Sequence, residues 1–164
     1  MQRRPATDAE AAALASAVRL RIIRLTFDRA MTNKEIAERL GKDPATTLHH
    51  VRKLVATGFL EAQPARSGNR GAREIPYRST GLSWRLDRDG APYSEETGEA
   101  VLEAYLGEVA EVGPAATDQF RLVAQVDREE LKRRLQALLD ELATEPAHPA
   151  GERVAIYLAL YPGD

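Results

Sequence analysis

Cysteine is absent from this chain of 164 residues. Disulfides, thiolate metal sites, redox switching and cysteine nucleophiles are therefore excluded together. No run approaches the roughly 18 consecutive apolar residues that a membrane span requires. Residues 1–16 also lack the apolar core of a signal peptide. These absences predict a cytoplasmic protein that has no membrane partner.

The small net charge of -2 hides two oppositely charged halves. Up to Gly90 the chain has 17 Lys and Arg against 10 Asp and Glu, and after Gly90 it has 6 against 15. A basic half can bind a polyanion, whereas an acidic half is repelled by one. Charge alone does not separate DNA binding from ordinary surface variation. We expect a DNA-binding domain over residues 1–90 and a dimerisation or effector region over residues 91–164.

Three consecutive helices are predicted near the N-terminus, at Ala9–Arg29, Asn33–Leu40 and Pro44–Thr57. Thr32 and Glu35 have the spacing of a capping box, which opens the second helix, and Gly41 ends it. Asp43 is the predicted N-cap of the third helix, and Pro44 occupies its first position. Two short helices joined by a tight turn are typical of a helix-turn-helix motif.

A strand, a basic loop and a second strand follow the third helix. The strands are predicted at Phe59–Gln63 and Arg73–Ser79, and the loop Pro64–Ala72 contains Gly68 and Gly71. Arg66, Arg70 and Arg73 surround this loop, from which guanidinium groups can approach a phosphate backbone. The sequence therefore predicts a basic wing.

The third helix has a polar face opposite its predicted buried line of Leu48, Val51 and Val55. Threonine and histidine side chains can bond base edges, whereas Arg52 and Lys53 are suited to phosphates. The alternative is an ordinary solvated helix face. With the wing, the candidate DNA contacts are Thr46, Thr47, His49, His50, Arg52, Lys53, Arg66, Arg70 and Arg73.

The two adjacent histidines do not predict a metal site. Neighbouring side chains on a helix point about 100° apart, whereas the usual two-histidine pattern needs a spacing of about four residues. We also find no nucleophile and base pair and no phosphate-binding glycine loop in the second half. We therefore expect no catalytic residues, no metal, no cofactor and no enzyme activity.

Several segments resemble ArsR-type winged-helix transcriptional regulators over residues 15–80. These segments are Thr32–Ala37, Ala45–Leu54 and Gly58–Leu60. His50, Val51, Leu54, Gly58 and Leu60 occupy the places that the family pattern gives to a histidine, aliphatic residues and a glycine. Leu48 stands where metal-sensing members usually have serine, and the cysteine pair and Asp-x-His of those members are absent. The resemblance is therefore to a branch that does not sense metals.

This resemblance implies a homodimer that binds an inverted-repeat DNA operator, with half-sites about 34 Å apart. It implies transcriptional regulation, with repression expected. It also implies an interface formed by the Ala9–Arg29 helix and a helix at Ser94–Val112. A small-molecule effector would then act by favouring one dimer geometry. The alternative from another class is a winged helix that binds protein and has no specific DNA target.

The second half predicts a helical and strand-helix-strand extension, which makes the chain α+β. The Ser94–Val112 helix has an apolar face comprising Val101, Leu102, Tyr105, Leu106 and Val109. Strands are predicted at Gln119–Val126 and Val154–Tyr161, the second from strict alternation. Between them, Asp127 caps a helix with a stripe of Leu131, Leu135, Leu138 and Leu142. This extension is a packing element or an effector-binding element.

Overall fold

The computed structural model describes residues 3–68, 71–87, 95–146 and 150–163. It divides into an N-terminal unit, Gln2–Val112, and a C-terminal unit, Gly113–Asp164. The α-helices of the described residues are α1 Asp8–Leu14, α2 Ala17–Leu25, α3 Asn33–Leu40, α4 Pro44–Ala56, α5 Glu95–Val112 and α6 Arg128–Thr144. Short 3-10 helices lie at Leu82–Trp84 and Pro114–Ala116.

The predicted helix over Ala9–Arg29 is wrong as a single element. The structure has two helices, because the chain leaves helical geometry at Ala15 and Ser16 begins α2 as an extended N-cap. The Ser16 hydroxyl accepts the backbone N–H of Arg19, which satisfies one of the free donors at the helix start. α2 then ends at Leu25 rather than Arg29.

The helix-turn-helix forms as its caps predict. Thr32 and Glu35 make a reciprocal capping box at the start of α3, and Gly41 ends that helix with φ of 61°. This left-handed conformation favours glycine because a Cβ would be strained there. Asp43 accepts the backbone N–H groups of Ala45 and Thr46 at the start of α4. The predicted caps of α3 and α4 are therefore confirmed.

The strands of the wing and a short strand that precedes α3 form two small antiparallel sheets. β1 (Met31–Thr32), β5 (Pro76–Ser79) and β2 (Leu60–Ala62) form one sheet in that order, and β3 (Arg66–Ser67) pairs with β4 (Arg73–Glu74) in the other. The single strand predicted at Arg73–Ser79 is therefore divided. Pro76 has no N–H to donate, so it suits the first position of a strand and here begins β5.

One core joins these elements of the N-terminal unit. Its fully buried side chains include Leu14, Ile22, Ile36, Val51, Leu54, Phe59, Leu60 and Leu86. They come from α1 to α4, from the link between α4 and β2, from the first residue of β2, and from the chain after the wing. The architecture is a mixed helix and sheet fold with a winged helix-turn-helix, as expected from the sequence.

Helix α5 belongs to the N-terminal unit although it lies beyond Gly90. It packs against α2, and its buried residues are Thr97, Ala100 and Ala104. Ion pairs join Arg21 to Glu111 and Arg24 to Glu108. Two residues of the predicted apolar face, Leu102 and Leu106, are 46% and 56% exposed. Ser94, the predicted start of this helix, lies outside the described residues.

The C-terminal unit forms α6 but neither predicted strand. Asp127 caps α6 as expected, whereas 119–126 and 154–161 have no strand pairing in the described structure. An alternating sequence becomes a strand only when a neighbour accepts its backbone hydrogen bonds. Phe120 is 96% and Leu122 87% exposed. The strand-helix-strand prediction is therefore corrected to one helix flanked by irregular chain.

None of the helices among the described residues is long and apolar enough to span a membrane.

Candidate nucleic-acid interface

The exposed side of α4 carries most of the residues predicted to contact DNA. Thr46, His49, Arg52 and Lys53 are all exposed, and their spacings of three, four and seven place them on one broad face. The buried residues of α4 are Thr47, Val51 and Leu54. Of the predicted buried line, Val51 is buried, but Leu48 is only half-buried and Val55 is 37% exposed. The buried face of α4 therefore differs from the predicted one.

Thr47 is not part of this surface. Its residue exposure is 0%, and its hydroxyl donates to the backbone carbonyl of Asp43 at 2.9 Å. A threonine that bonds the preceding turn of its own helix can be buried without an unsatisfied hydroxyl. The structure therefore excludes Thr47 from the contacts predicted from the sequence.

The start of α4 is fixed from two directions. One Asp43 carboxylate oxygen accepts the N–H groups of Ala45 at 2.9 Å and Thr46 at 3.0 Å. The Asn33 side-chain amide donates to the Pro44 carbonyl at 2.8 Å and so connects α3 to α4. Sequence reasoning missed Asn33, because a contact across 11 residues leaves no local signal. These bonds orient the helix whose outer face is exposed.

The two histidines have different surroundings. His49 is exposed, whereas His50 is half-buried and its Nδ1 has no hydrogen-bond partner within the described chain. Burial lowers the pKa of His50, and the nearby charges of Arg19, His49 and Lys42 lower it further. Both effects favour the uncharged form of the His50 imidazole, which is also less accessible than that of His49. The described residues contain no group of three or more potential metal ligands.

The basic residues near this surface differ in how they are paired. Arg52, Lys53 and Arg73 are exposed and form no ion pair with any described carboxylate. Arg66 is held by Glu35 at 2.7 Å and lies 3.8 Å from Glu74. Arg70 lies outside the described residues.

Sequence reasoning also missed two exposed cations, Lys42 and Arg78. Lys42 lies in the turn between α3 and α4, and Arg78 lies on β5. A basic residue inside the helix-turn-helix turn was a readable signal for Lys42. The arrangement can present several positive charges to a polyanion, together with polar side chains at the start of α4.

A family model described as a helix-turn-helix domain matches residues 14–63, which include α2, α3, α4 and β2. No curated protein matches the chain.

Several solved structures are similar to this chain. One is the homodimeric winged helix-turn-helix DNA-binding domain (fragment 1–100) of Mb0332 from Mycobacterium bovis, a possible ArsR-family transcriptional regulator, with 23% identity, a TM-score of 0.35 and coverage of 67% of this chain and 82% of that one. Another is wild-type ZitR from Lactococcus lactis in complex with DNA, with 22% identity, a TM-score of 0.36 and coverage of 77% and 74%. A possible transcriptional regulator from Methanosarcina mazei Go1 has 16% identity, a TM-score of 0.39 and coverage of 63% and 84%.

Proposed function

We propose that this chain is a homodimeric transcriptional regulator that binds double-stranded DNA in a sequence-specific manner. The observation that carries the proposal is the outer face of α4. It combines exposed polar side chains at its start with Arg52 and Lys53, which no described carboxylate neutralises. A recognition helix needs both features, because base contacts specify a sequence and phosphate contacts supply most of the affinity.

Each exposed residue of this face has a proposed role. Thr46 and His49 lie in the first two turns of α4, where a recognition helix reaches base edges. Arg52 and Lys53 lie further along and would neutralise phosphates. Arg73 would do the same from the wing. His50 is a weaker candidate than His49, because it is half-buried and its pKa is lowered by burial and neighbouring charges.

The dimer is proposed from the apolar surface that α2 and α5 leave open. Ala17, Val18, Leu102, Leu106 and Gly107 are the apolar residues that line a groove between these helices. Four charged residues also line it, namely Arg21, Lys42, Glu99 and Glu103. Two copies related by a twofold axis would bury this surface and present their recognition helices to successive major grooves. The operator would then be an inverted repeat, with repression as the expected outcome. The regulator would belong to an ArsR-like branch that does not sense metals, with the C-terminal unit as the candidate site for a small-molecule effector.

Selection of bound fragments from a random duplex pool, at two salt concentrations, tests this function. We expect the wild-type chain to enrich a palindrome, and we expect the variant Arg52→Ala, Lys53→Ala to bind that palindrome at least about tenfold more weakly. The matched control is Arg133→Ala, Arg134→Ala, which removes the same charge from exposed positions on α6. The control should bind as the wild type does.

Three outcomes would count against the proposal. Absence of enrichment at both salt concentrations would contradict specific DNA binding and would direct attention to protein partners. An enriched sequence without twofold symmetry would contradict the dimer. Equal losses in the α4 variant and the α6 control would show that net charge, rather than the face of α4, determines binding.

A further inference from the structure

Arg66 lies in the wing but is not a free cation. Its Nη2 donates to Glu35 Oε1 at 2.7 Å, and its Nε lies 3.8 Å from Glu74 Oε2. Glu74 is also its direct partner across the β3–β4 ladder. Two carboxylates therefore surround one guanidinium, so little positive charge remains for a phosphate.

Glu35 divides its carboxylate between two elements. Its Oε2 accepts the backbone N–H of Thr32 at 2.7 Å, and its own N–H donates to the Thr32 hydroxyl at 3.2 Å. Its Oε1 accepts from Arg66. Burial raises the pKa of Glu35, but the hydrogen bonds from Thr32 and Arg66 outweigh that effect and lower it overall. The same ionised side chain thus caps α3 and holds the wing.

Gly68 leaves space for the Glu74 side chain in this arrangement. The Gly68 N–H donates to the Ala72 carbonyl at 2.7 Å. A Cβ at Gly68 would overlap the end of the Glu74 side chain. Glycine at this position therefore allows Glu74 to lie beside Arg66 and Ser67 in the hollow between α3 and the wing.

We propose that Arg66 is a positioning residue, which fixes the wing to α3 through Glu35 and does not itself neutralise a DNA phosphate. Because α3 packs against α4, this ion pair fixes the wing relative to the recognition helix. The inference rests on the proposed DNA binding for its consequence, although the wing attachment itself is independent of DNA. It assigns Arg66 and Arg73 different roles although both are arginines of the same wing.

The two roles predict opposite effects for Glu35→Gln. If the role of Arg66 is to contact a phosphate, removing the charge of Glu35 releases Arg66 from its ion pair, and DNA binding becomes tighter. If Arg66 positions the wing, the same change loosens the wing and weakens binding. Glutamine can still complete the capping box with Thr32, so α3 should keep its start.

The first experiment measures affinity for the labelled palindromic duplex over a series of KCl concentrations. We expect Arg66→Ala and Glu35→Gln each to weaken binding about three- to fivefold at every salt concentration, the range expected when a partly exposed ion pair is removed. The double variant should be no weaker than either single variant, because both remove one interaction. The slope of log affinity against log salt should stay unchanged, whereas Arg73→Ala should reduce it by about 0.9 for each phosphate that the protein no longer neutralises.

Glu38→Gln is the matched charge control. Glu38 lines the same hollow, but it pairs with Lys34, at 3.9 Å, on its own helix. We expect no loss of affinity for this variant. Tighter binding by Glu35→Gln, or a reduced salt slope for Arg66→Ala equal to that of Arg73→Ala, would overturn the positioning role.

The second experiment needs no DNA, so it separates this inference from the proposed function. Amide hydrogen exchange at Gly68 should accelerate several-fold in Arg66→Ala and Glu35→Gln while the amides of α4 keep the wild-type rate. Glu38→Gln should exchange as the wild type does. Unchanged exchange at Gly68 in both variants would overturn the inference even if the protein binds DNA, and failure of the wild type to bind DNA would overturn only the proposed function.

Discussion

The N-terminal and C-terminal units differ in what they bury, although both are rich in leucine, valine and alanine. Leu14, Ile22, Ile36, Val51 and Leu54 of the N-terminal unit are all 0% exposed. No residue of the described part of the C-terminal unit is buried, and Leu138 and Leu142 of α6 are 50% and 46% exposed. Apolar content alone therefore does not create a core.

The difference lies in how many elements meet. In the N-terminal unit, helices from different directions cover one another and the wing sheet closes one side. In the described C-terminal unit, one α-helix is accompanied by a short 3-10 helix and irregular chain. A single amphipathic helix cannot bury its stripe without a second apolar surface. We therefore expect the stability of the monomer to come mainly from the N-terminal unit.

Leucine truncation in each unit gives the largest expected contrast. Leu54→Ala removes a fully buried side chain and should lower the free energy of unfolding by about 3 kcal/mol, through lost transfer energy and the cavity left behind. Leu138→Ala removes a half-exposed side chain and should change it by less than about 0.5 kcal/mol. Urea denaturation followed by circular dichroism measures both. Equal losses would show that α6 is packed as tightly as the core.

A pH titration of stability sharpens the comparison through Glu10. The Arg4 guanidinium donates to both Glu10 oxygens, at 2.9 and 2.6 Å, and this pairing lowers the pKa of Glu10 to about 2. Because the folded-state pKa of Glu10 lies below its ordinary value, the ion pair contributes to the free energy of unfolding at neutral pH. It is lost as the pH falls from about 4.5 towards about 2.

Glu10→Gln should therefore be less stable than the wild type by about 1 to 2 kcal/mol at neutral pH, since the half-exposed Arg4 is screened by solvent. The difference should shrink as acid protonates Glu10 in the wild type. Glu141→Gln, at an exposed position of α6, should stay within about 0.5 kcal/mol of the wild type throughout. A difference for Glu10→Gln that does not change with pH would contradict the ion-pair origin.

The sequence predicts local features of this molecule well. Thr32, Glu35, Gly41 and Asp43 act within a few residues, so a spacing is enough to predict their caps. The predicted buried face of α4 is wrong at this point, because hydrophobicity favours Leu48 over Thr47 as the buried residue. The bond from the Thr47 hydroxyl to the Asp43 carbonyl makes the threonine compatible with the core, and a hydropathy pattern does not include that bond.

Features that depend on distant partners could not be predicted in the same way. The alternation at 154–161 is typical of a strand, but the described chain supplies no neighbouring strand to pair with it. Arg66 is an obvious wing cation in the sequence, yet its partner Glu35 lies 31 residues away. The sequence therefore predicts which residues are charged and exposed, and the fold determines which charges remain free to bind a ligand.

Two glycines with positive φ give the smallest contrast. Gly41 ends α3 with φ of 61°, and Gly113 follows α5 with φ of 84°. Neither has an atom within 4 Å of the position of an added Cβ, so alanine would strain only the backbone. Gly41→Ala should cost about 1 kcal/mol in the free energy of unfolding, because the turn into α4 fixes that conformation. Gly113→Ala should cost less than about 0.5 kcal/mol, since no buried residue of the described C-terminal unit depends on the chain direction after it, and its backbone can relax.

Thermal denaturation of the two variants beside the wild type measures both costs. A Gly113→Ala cost as large as that of Gly41→Ala would mean that the chain after α5 is fixed as firmly as the helix-turn-helix, and would remove the difference in order that we infer from the burial of the two units.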